Sequence, residues 1–162
     1  MLRLADKVID KVFDNTVYKG KDVKDRPFKK YSDHEPFFFR DKQGRIRRAQ
    51  GYKQAKSAGG LKYQSGGPGK SAKPNLYLSG KTMRSLLTSG ATEDTAEVGW
   101  KNTKSEQKLK WNESDRGKNR QIAKDTGDFP FAPSVEKWFY KSIDKILDKK
   151  VNKTSQTIIF KI

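Results

Sequence analysis

Pro74-Asn-Leu-Tyr-Leu-Ser-Gly-Lys-Thr-Met-Arg-Ser-Leu-Leu87, followed about ten residues later by Glu97-Val-Gly-Trp100, is the stretch whose reading decides the fold. Leu76 and Leu78 alternate with Tyr77, as in a half-buried strand. Ser79 is placed to cap a short helix over about 80–88, in which Met83, Leu86 and Leu87 share one face. Thr95 to Trp100 then reads as a second strand. The series strand, Ser79-Gly80 corner, helix and strand contains no pattern of catalytic groups.

Outward from that stretch, composition limits the architecture. The chain has 162 residues, which predicts a single domain over 1–162. Hydrophobic residues make up 33% and charged residues 34%, so the core must be small and much of the chain must be surface or loop. The absence of cysteine removes disulfides and cysteine-ligated zinc. No apolar run approaches a membrane span, and Met1 to Lys7 lacks the apolar stretch of a signal peptide, so a soluble protein used without export is expected.

The formal net charge is +17 and is unevenly placed. Residues 19–73 hold 16 Lys/Arg against 5 Asp/Glu, and residues 101–153 hold 14 against 8. Such asymmetry predicts a basic surface facing a polyanion.

Residues 2–14 place Leu2, Ala5, Ile9, Val12 and Phe13 on one helical face, and the helix is expected to end near Asn15. Residues 19–73 lose any sustained period and are punctuated by proline and glycine, which predicts an extended arm or long loops ordered by a partner, with a short helix near 49–57. A polar helix is expected over 104–113, and a polar loop from Gly117 to Gly127. Phe129-Pro-Phe-Ala-Pro133 should pin itself to the core before a helix from Ser134. In that helix Val135, Trp138, Phe139, Ser142, Ile143, Ile146 and Leu147 form one stripe, and Lys149-Lys150 suit its C-terminal end. Residues 156–162 read as a β-prone tail. The fold class is α+β: a small, mainly antiparallel sheet packed by an N-terminal and a C-terminal helix, with long loops or an arm.

Chemical motifs are weak. Gln64-Ser-Gly-Gly-Pro-Gly-Lys-Ser71 approximates a phosphate-binding loop, but Gln64 stands where the first glycine belongs, Pro68 removes a backbone donor, and Lys73-Pro74 opposes the helix that should follow. His34 has no nucleophile motif beside it, and Asp33, His34 and Glu35 are too close in sequence to converge on a metal. Glu93, Asp94 and Glu97 have the look of solvated turn acids. The stronger signal is basic and aromatic: Phe28-Lys-Lys-Tyr31, Phe37-Phe-Phe-Arg40, Arg45-Ile-Arg-Arg48 and Tyr52-Lys53 supply cations for phosphates and rings for stacking or packing. Lys29, Lys30, Arg40, Arg45, Arg47, Arg48, Tyr52, Lys53 and Lys56 are therefore the candidate contacts to a polyanion or to a neighbouring subunit. No cofactor, metal or catalytic residue is expected.

Pro27-Phe-Lys-Lys-Tyr-Ser32, Gly51-Tyr-Lys-Gln-Ala-Lys56, Asn75-Leu-Tyr-Leu-Ser-Gly80 with Met83-Arg-Ser-Leu86, Val98-Gly-Trp100 and Phe129-Pro-Phe-Ala-Pro133 occur in an order that resembles the phage virion-morphogenesis proteins, the neck and tail-completion proteins of tailed phages. The likeness spans roughly residues 26–148; Gly59 to Gly69 and Lys101 to Asp125 depart from it. It marks Asn75, Leu76, Leu78, Ser79, Gly80, Met83, Leu86, Val98, Gly99, Trp100, Trp138 and Phe139 as signature and core positions. What it implies is a non-enzymatic virion protein assembled in the host cytoplasm into a ring at the head–tail junction. Its expected partners are other copies of itself, a portal, connector or stopper protein, a tail-tube or terminator protein, and passing genomic DNA, with no membrane. The basic surface would then face either DNA or an acidic ring. A free-standing, sequence-independent nucleic-acid-binding protein is the alternative.

Overall fold

The structure is a computed structural model that describes the chain except residues 1, 32, 34–35, 78–79, 93–94, 102, 115–119, 125–128 and 160–162. It is α+β, with its strands paired as two antiparallel hairpins rather than joined in one sheet. In chain order the elements are α1 (Leu2–Phe13), β1 (Pro36–Arg40), β2 (Ile46–Gln50), α2 (Gly51–Ser57), β3 (Leu86–Ala91), β4 (Ala96–Trp100), α3 (Thr103–Glu113) and α4 (Pro133–Ile159).

Helix α1 buries Leu4, Ala5, Val8 and Val12 and leaves Leu2 about half exposed. The buried stripe is thus rotated from the one expected through Leu2. The helix also runs past Asn15 in a π-helical turn, Asp14–Tyr18, closed by Lys19 N–H donating to the Asp14 carbonyl at 3.1 Å. Widening the last turn lets the consecutive residues Asn15, Thr16 and Val17 all be buried.

Val8, Val12, Leu86, Phe129, Phe131, Ala132 and Val135 form the main core, where α1, β3 and the start of α4 meet. The aromatic-proline segment before α4 is pinned there as its composition predicts. A second cluster of Val17, Tyr77, Met83, Leu109 and Ile122 adjoins it, and Trp100 packs against both.

The 74–87 stretch folds differently from its expected strand and helix. The Asn75 side-chain oxygen accepts Tyr77 N–H at 3.2 Å, and Leu76 takes a left-handed φ of +49°. A local side-chain bond therefore replaces the strand. One 3-10 turn, Met83–Ser85, stands in place of the helix, and Leu86 is already extended at ψ 120°. Leu86–Ala91 then pairs with Ala96–Trp100 in the register Leu86↔Trp100, Leu87↔Gly99 and Thr88↔Val98, with a bulge before Gly90. Leu78 and Ser79, including the expected Ser79 cap, lie outside the described residues.

Helix α4 begins on Pro133 and is capped from far away. Asp25, at φ +59°, accepts Ser134 N–H at 2.8 Å and Ser134 Oγ–H at 2.6 Å, while Asn15 Nδ2 donates to it at 3.3 Å. Burial acts to raise the Asp25 pKa, but the Ser134 and Asn15 hydrogen bonds and nearby Lys21 leave it below its ordinary value. A depressed folded pKa gives stability that is present above the unfolded carboxylate value and lost as pH falls through the folded one. Asp25→Ala is accordingly expected to cost about 1–2 kcal/mol at neutral pH, read as a lower urea midpoint, and the difference from wild type should narrow on acidification.

Along α4, Val135 is buried and Trp138, Phe139 and Ile143 are half-buried, whereas Ile146 and Leu147 are exposed. Only the first part of the expected stripe is core. The helix continues to Ile159, so Lys149-Lys150 do not end it. Residues 156–159 are helical rather than β, and residues 160–162 of the tail lie outside the described residues.

Candidate functional site

Residues 19–73 were expected to form an arm needing a partner, yet they build a small module of their own. Ala49, Ala55 and Leu61 are its buried centre, with Phe37, Phe39 and Tyr52 packed around them. The hairpin of β1 and β2 carries most of the candidate contacts, and its turn explains why it forms. Asp41 Oδ1 accepts Gln43 N–H at 3.0 Å and Arg45 N–H at 2.9 Å, and Oδ2 accepts Arg47 Nε–H at 3.0 Å. Gly44 supplies the left-handed corner at φ +81°. Desolvation acts to raise the Asp41 pKa, but the Arg47 bond and the two backbone donors hold it below its ordinary value.

Asp22 organises residues 22–26 in the same way. Its Oδ1 accepts Lys24 N–H and Arg26 N–H, both at 2.8 Å, its Oδ2 accepts the Arg26 guanidinium, and Asp25 holds the left-handed place that Gly44 holds in the hairpin. Each turn uses a buried aspartate to satisfy backbone donors that short loops otherwise leave unpaired.

Strand register sorts the hairpin side chains onto two faces. Phe37↔Ala49 and Phe39↔Arg47 belong to one, and Phe37 meets Tyr52 of α2 with ring centroids 5.2 Å apart. Phe38↔Arg48 and Arg40↔Ile46 belong to the other, which faces solvent. Phe38 is 66% and Ile46 69% exposed, unusual for residues that gain most from burial. On the other edge of β1, Lys62 N–H donates to the Arg40 carbonyl at 2.9 Å. The next residue, Tyr63, is 71% exposed, and the Lys62 ammonium lies 5.0 Å from its ring centroid.

Lys56, expected as an external contact, is completely buried. It lies on the inner face of α2, where its ammonium donates to Tyr31 Oη at 3.0 Å and to Asn75 Oδ1. Asn75 in turn donates through Nδ2 to the Pro68 carbonyl at 2.8 Å and through its backbone N–H to Tyr31 Oη at 3.3 Å. Arg120, also buried, places its guanidinium 4.9 Å from the Tyr31 ring centroid, donates to the Lys29 carbonyl at 3.1 Å, and has no hydrogen-bond partner at Nε. Burial, with the Arg120 charge adding to it, pulls the Lys56 pKa down to about 8. Burial also lowers Arg120, against the opposing effect of Tyr31 and Tyr52. Tyr52 is pushed up to about 12 by burial and by Tyr31 beside it.

Gln64 holds the glycine-rich loop against this cluster. Its Nε2 donates to the Lys56 and Gly69 carbonyls, and its Oε1 accepts Leu61 N–H at 3.1 Å. The residue that spoils the phosphate-loop pattern is thus the one that closes the loop.

The candidate contacts therefore divide. Arg40, Arg45 and Arg48 are exposed together on the hairpin, and Lys29 and Lys30 are exposed on the segment before it. Arg47 is exposed but tied to Asp41, Lys53 pairs with Asp33 at 3.7 Å, and Tyr52 is half-buried in the aromatic packing. Asn75, Met83 and Leu86 are buried, Leu76, Val98, Gly99, Trp100, Trp138 and Phe139 are partly buried, and Gly80 lies beneath the Tyr77 ring. Arg120, Gln64 and the turn aspartates carry structural roles that sequence reasoning missed. The Asp-x-x-Gly spacing at 41–44 was the one available signal, since Arg120 and Gln64 sit in polar stretches without a period.

Among the described residues no group of three His, Cys, Asp or Glu side chains could hold a metal ion, and no helix is long and apolar enough to cross a membrane. His34, Glu35, Glu93 and Asp94 lie outside the described residues. Comparison of the chain with protein-family models, curated proteins and solved structures gave no match.

Proposed function

We propose that this protein is a non-enzymatic structural subunit of the head–tail junction of a tailed phage, acting in a neck or tail-completion ring. The observation that carries the reading is the solvent face of the β1–β2 hairpin, where Arg40 and Arg48 stand across from exposed Ile46 and Phe38, with exposed Arg45 in the adjoining turn. Such a face suits work done by affinity and geometry. The likeness of the 27–32, 51–56, 75–86, 98–100 and 129–133 segments to the virion-morphogenesis proteins supplies the class. In this reading the ring bridges a portal, connector or stopper protein to a tail tube or terminator, and the hairpin meets passing DNA or an acidic neighbour. Helix α4, with Tyr140, Ile146 and Leu147 exposed, offers a second surface for assembly.

The test is sedimentation and negative-stain microscopy of the purified chain, alone and with a phage portal or connector. Rings are expected with the partner. Arg40→Ala, Arg45→Ala and Arg48→Ala combined should weaken assembly or DNA retention at least tenfold while leaving the melting temperature within about 2 °C, because exposed positions without buried partners rarely affect stability. Arg47 is excluded because Asp41 depends on it. A chain that stays monomeric with every head–tail component, or triple-variant particles that retain DNA normally, would refute the proposal.

A further inference from the structure

The hairpin's solvent face combines two properties that a purely electrostatic surface does not need. Its cations outnumber its acids: of the eight Lys/Arg in residues 36–63, Lys56 is buried, Arg47 is tied to Asp41 and Lys53 pairs with Asp33, while the one acid, Asp41, is buried and bonded within the turn. Among the described residues no carboxylate pairs with Arg40, Arg48 or Lys62. Its apolar groups are exposed singly between those cations. Phe38 stands directly across from Arg48, Ile46 stands across from Arg40, and Tyr63 lies beside the Lys62 ammonium.

A row of phosphates alone would be met by the cations, leaving exposed Phe38 and Ile46 without a role. An acidic protein face would use the apolar groups only if it carried apolar groups of its own placed against them. A polyanion that also carries free aromatic faces would use both sets, and a single-stranded nucleic acid is that polymer: its unstacked bases lie on side-chain rings while flanking cations meet the backbone. In a duplex the base faces are already covered by their neighbours. The support beneath is stiff, because the opposite face packs on α2 through Phe37 and Tyr52 and the turn is closed by Asp41. Little ordering would be needed on binding.

We infer that the outward face of the β1–β2 hairpin, through Phe38 with Arg40, Arg48 and Lys62, is a stacking site for single-stranded nucleic acid bound without regard to sequence. All of these groups belong to one copy. The isolated chain is therefore expected to bind whether or not it forms rings, and the inference goes beyond the ring reading and stands or falls separately from it.

The test is fluorescence anisotropy of labelled dT20, an unlabelled 20-base-pair duplex competitor and the full chain. Expected are tighter binding of dT20 than of duplex, and a loss of affinity on the order of 20- to 50-fold between 50 and 200 mM salt for three to four phosphate contacts. Phe38→Ala should weaken dT20 binding about fivefold or more with an unchanged melting curve. Phe38→Trp should retain it, which separates stacking from simple loss of bulk. Arg48→Ala should lower the salt slope by about 0.7. Lys141→Ala with Lys145→Ala, removing two exposed charges on α4, is the control for nonspecific attraction and should change affinity less than twofold. Preferred binding of duplex, an unaltered Phe38→Ala affinity, or a control loss equal to that of Arg48→Ala would each overturn the inference.

Discussion

Gly80→Ala is expected to lower stability by about 3–4 kcal/mol, a fall of roughly 8–15 °C in melting temperature for a chain of this size. Two separate effects add at this position. Gly80 has φ +78°, where a Cβ is disfavoured by about 1–2 kcal/mol. A Cβ there would also enter the ring of Tyr77, which lies across the glycine and is held by the hydrogen bond from Arg84 to its hydroxyl. Tyr77 belongs to the second core cluster, so its ring cannot swing away without uncovering Met83 and Leu109. Gly44→Ala provides the comparison. Gly44 is equally left-handed at φ +81°, but a Cβ there meets nothing within 4 Å, so only the backbone term of about 1 kcal/mol applies. Equal losses in the two variants, by thermal or urea melting, would show that the Tyr77 contact does not constrain Gly80.

Raising the pH from 7 to 9.5 is expected to stabilise the protein by on the order of 1 kcal/mol through Lys56 alone. The folded pKa of Lys56, about 8, lies below that of an unfolded lysine. Between those values the unfolded state binds more protons, so stability rises with pH. The cost of burying the ammonium is fully present below about pH 8 and shrinks above it. The general fall in positive charge acts in the same direction, so the effect must be read as a difference between wild type and Lys56→Met. Methionine fills similar volume without an ionisable group, and urea midpoints should rise less steeply over this range in the variant. Parallel curves would mean that the ammonium stays charged in its site up to the ordinary lysine range.

How legible these features were depends on whether the information was local. The α1 face, the Phe129 to Pro133 anchor and the start of α4 follow from periodicity and proline, and each was readable. Asn75-Leu-Tyr reads as a strand because alternation of apolar residues fits a strand and an Asn-centred turn equally, and only the Asn75 side-chain bond to Tyr77 N–H distinguishes them. The module at 36–70 was invisible for a different reason. Its core holds only three buried apolar side chains, and the rest of its cohesion comes from Lys56, Gln64 and Asn75, polar residues that a hydrophobicity pattern assigns to solvent. The exposed arginines could be found by charge, but the separation of Arg48 from Arg47 required the strand register and the position of Asp41.

The Asp25 cap on α4 joins residues 109 positions apart. At about 5–20 residues per second, a ribosome makes Ser134 roughly 5–20 s after Asp25. During that interval Val12 already exists, while Phe131 and Val135, which belong to the same core cluster, do not. Until Phe131 and Val135 emerge, the apolar face of α1 has only β3 and β4 to cover it, so the core of the domain is completed last from the C-terminal side.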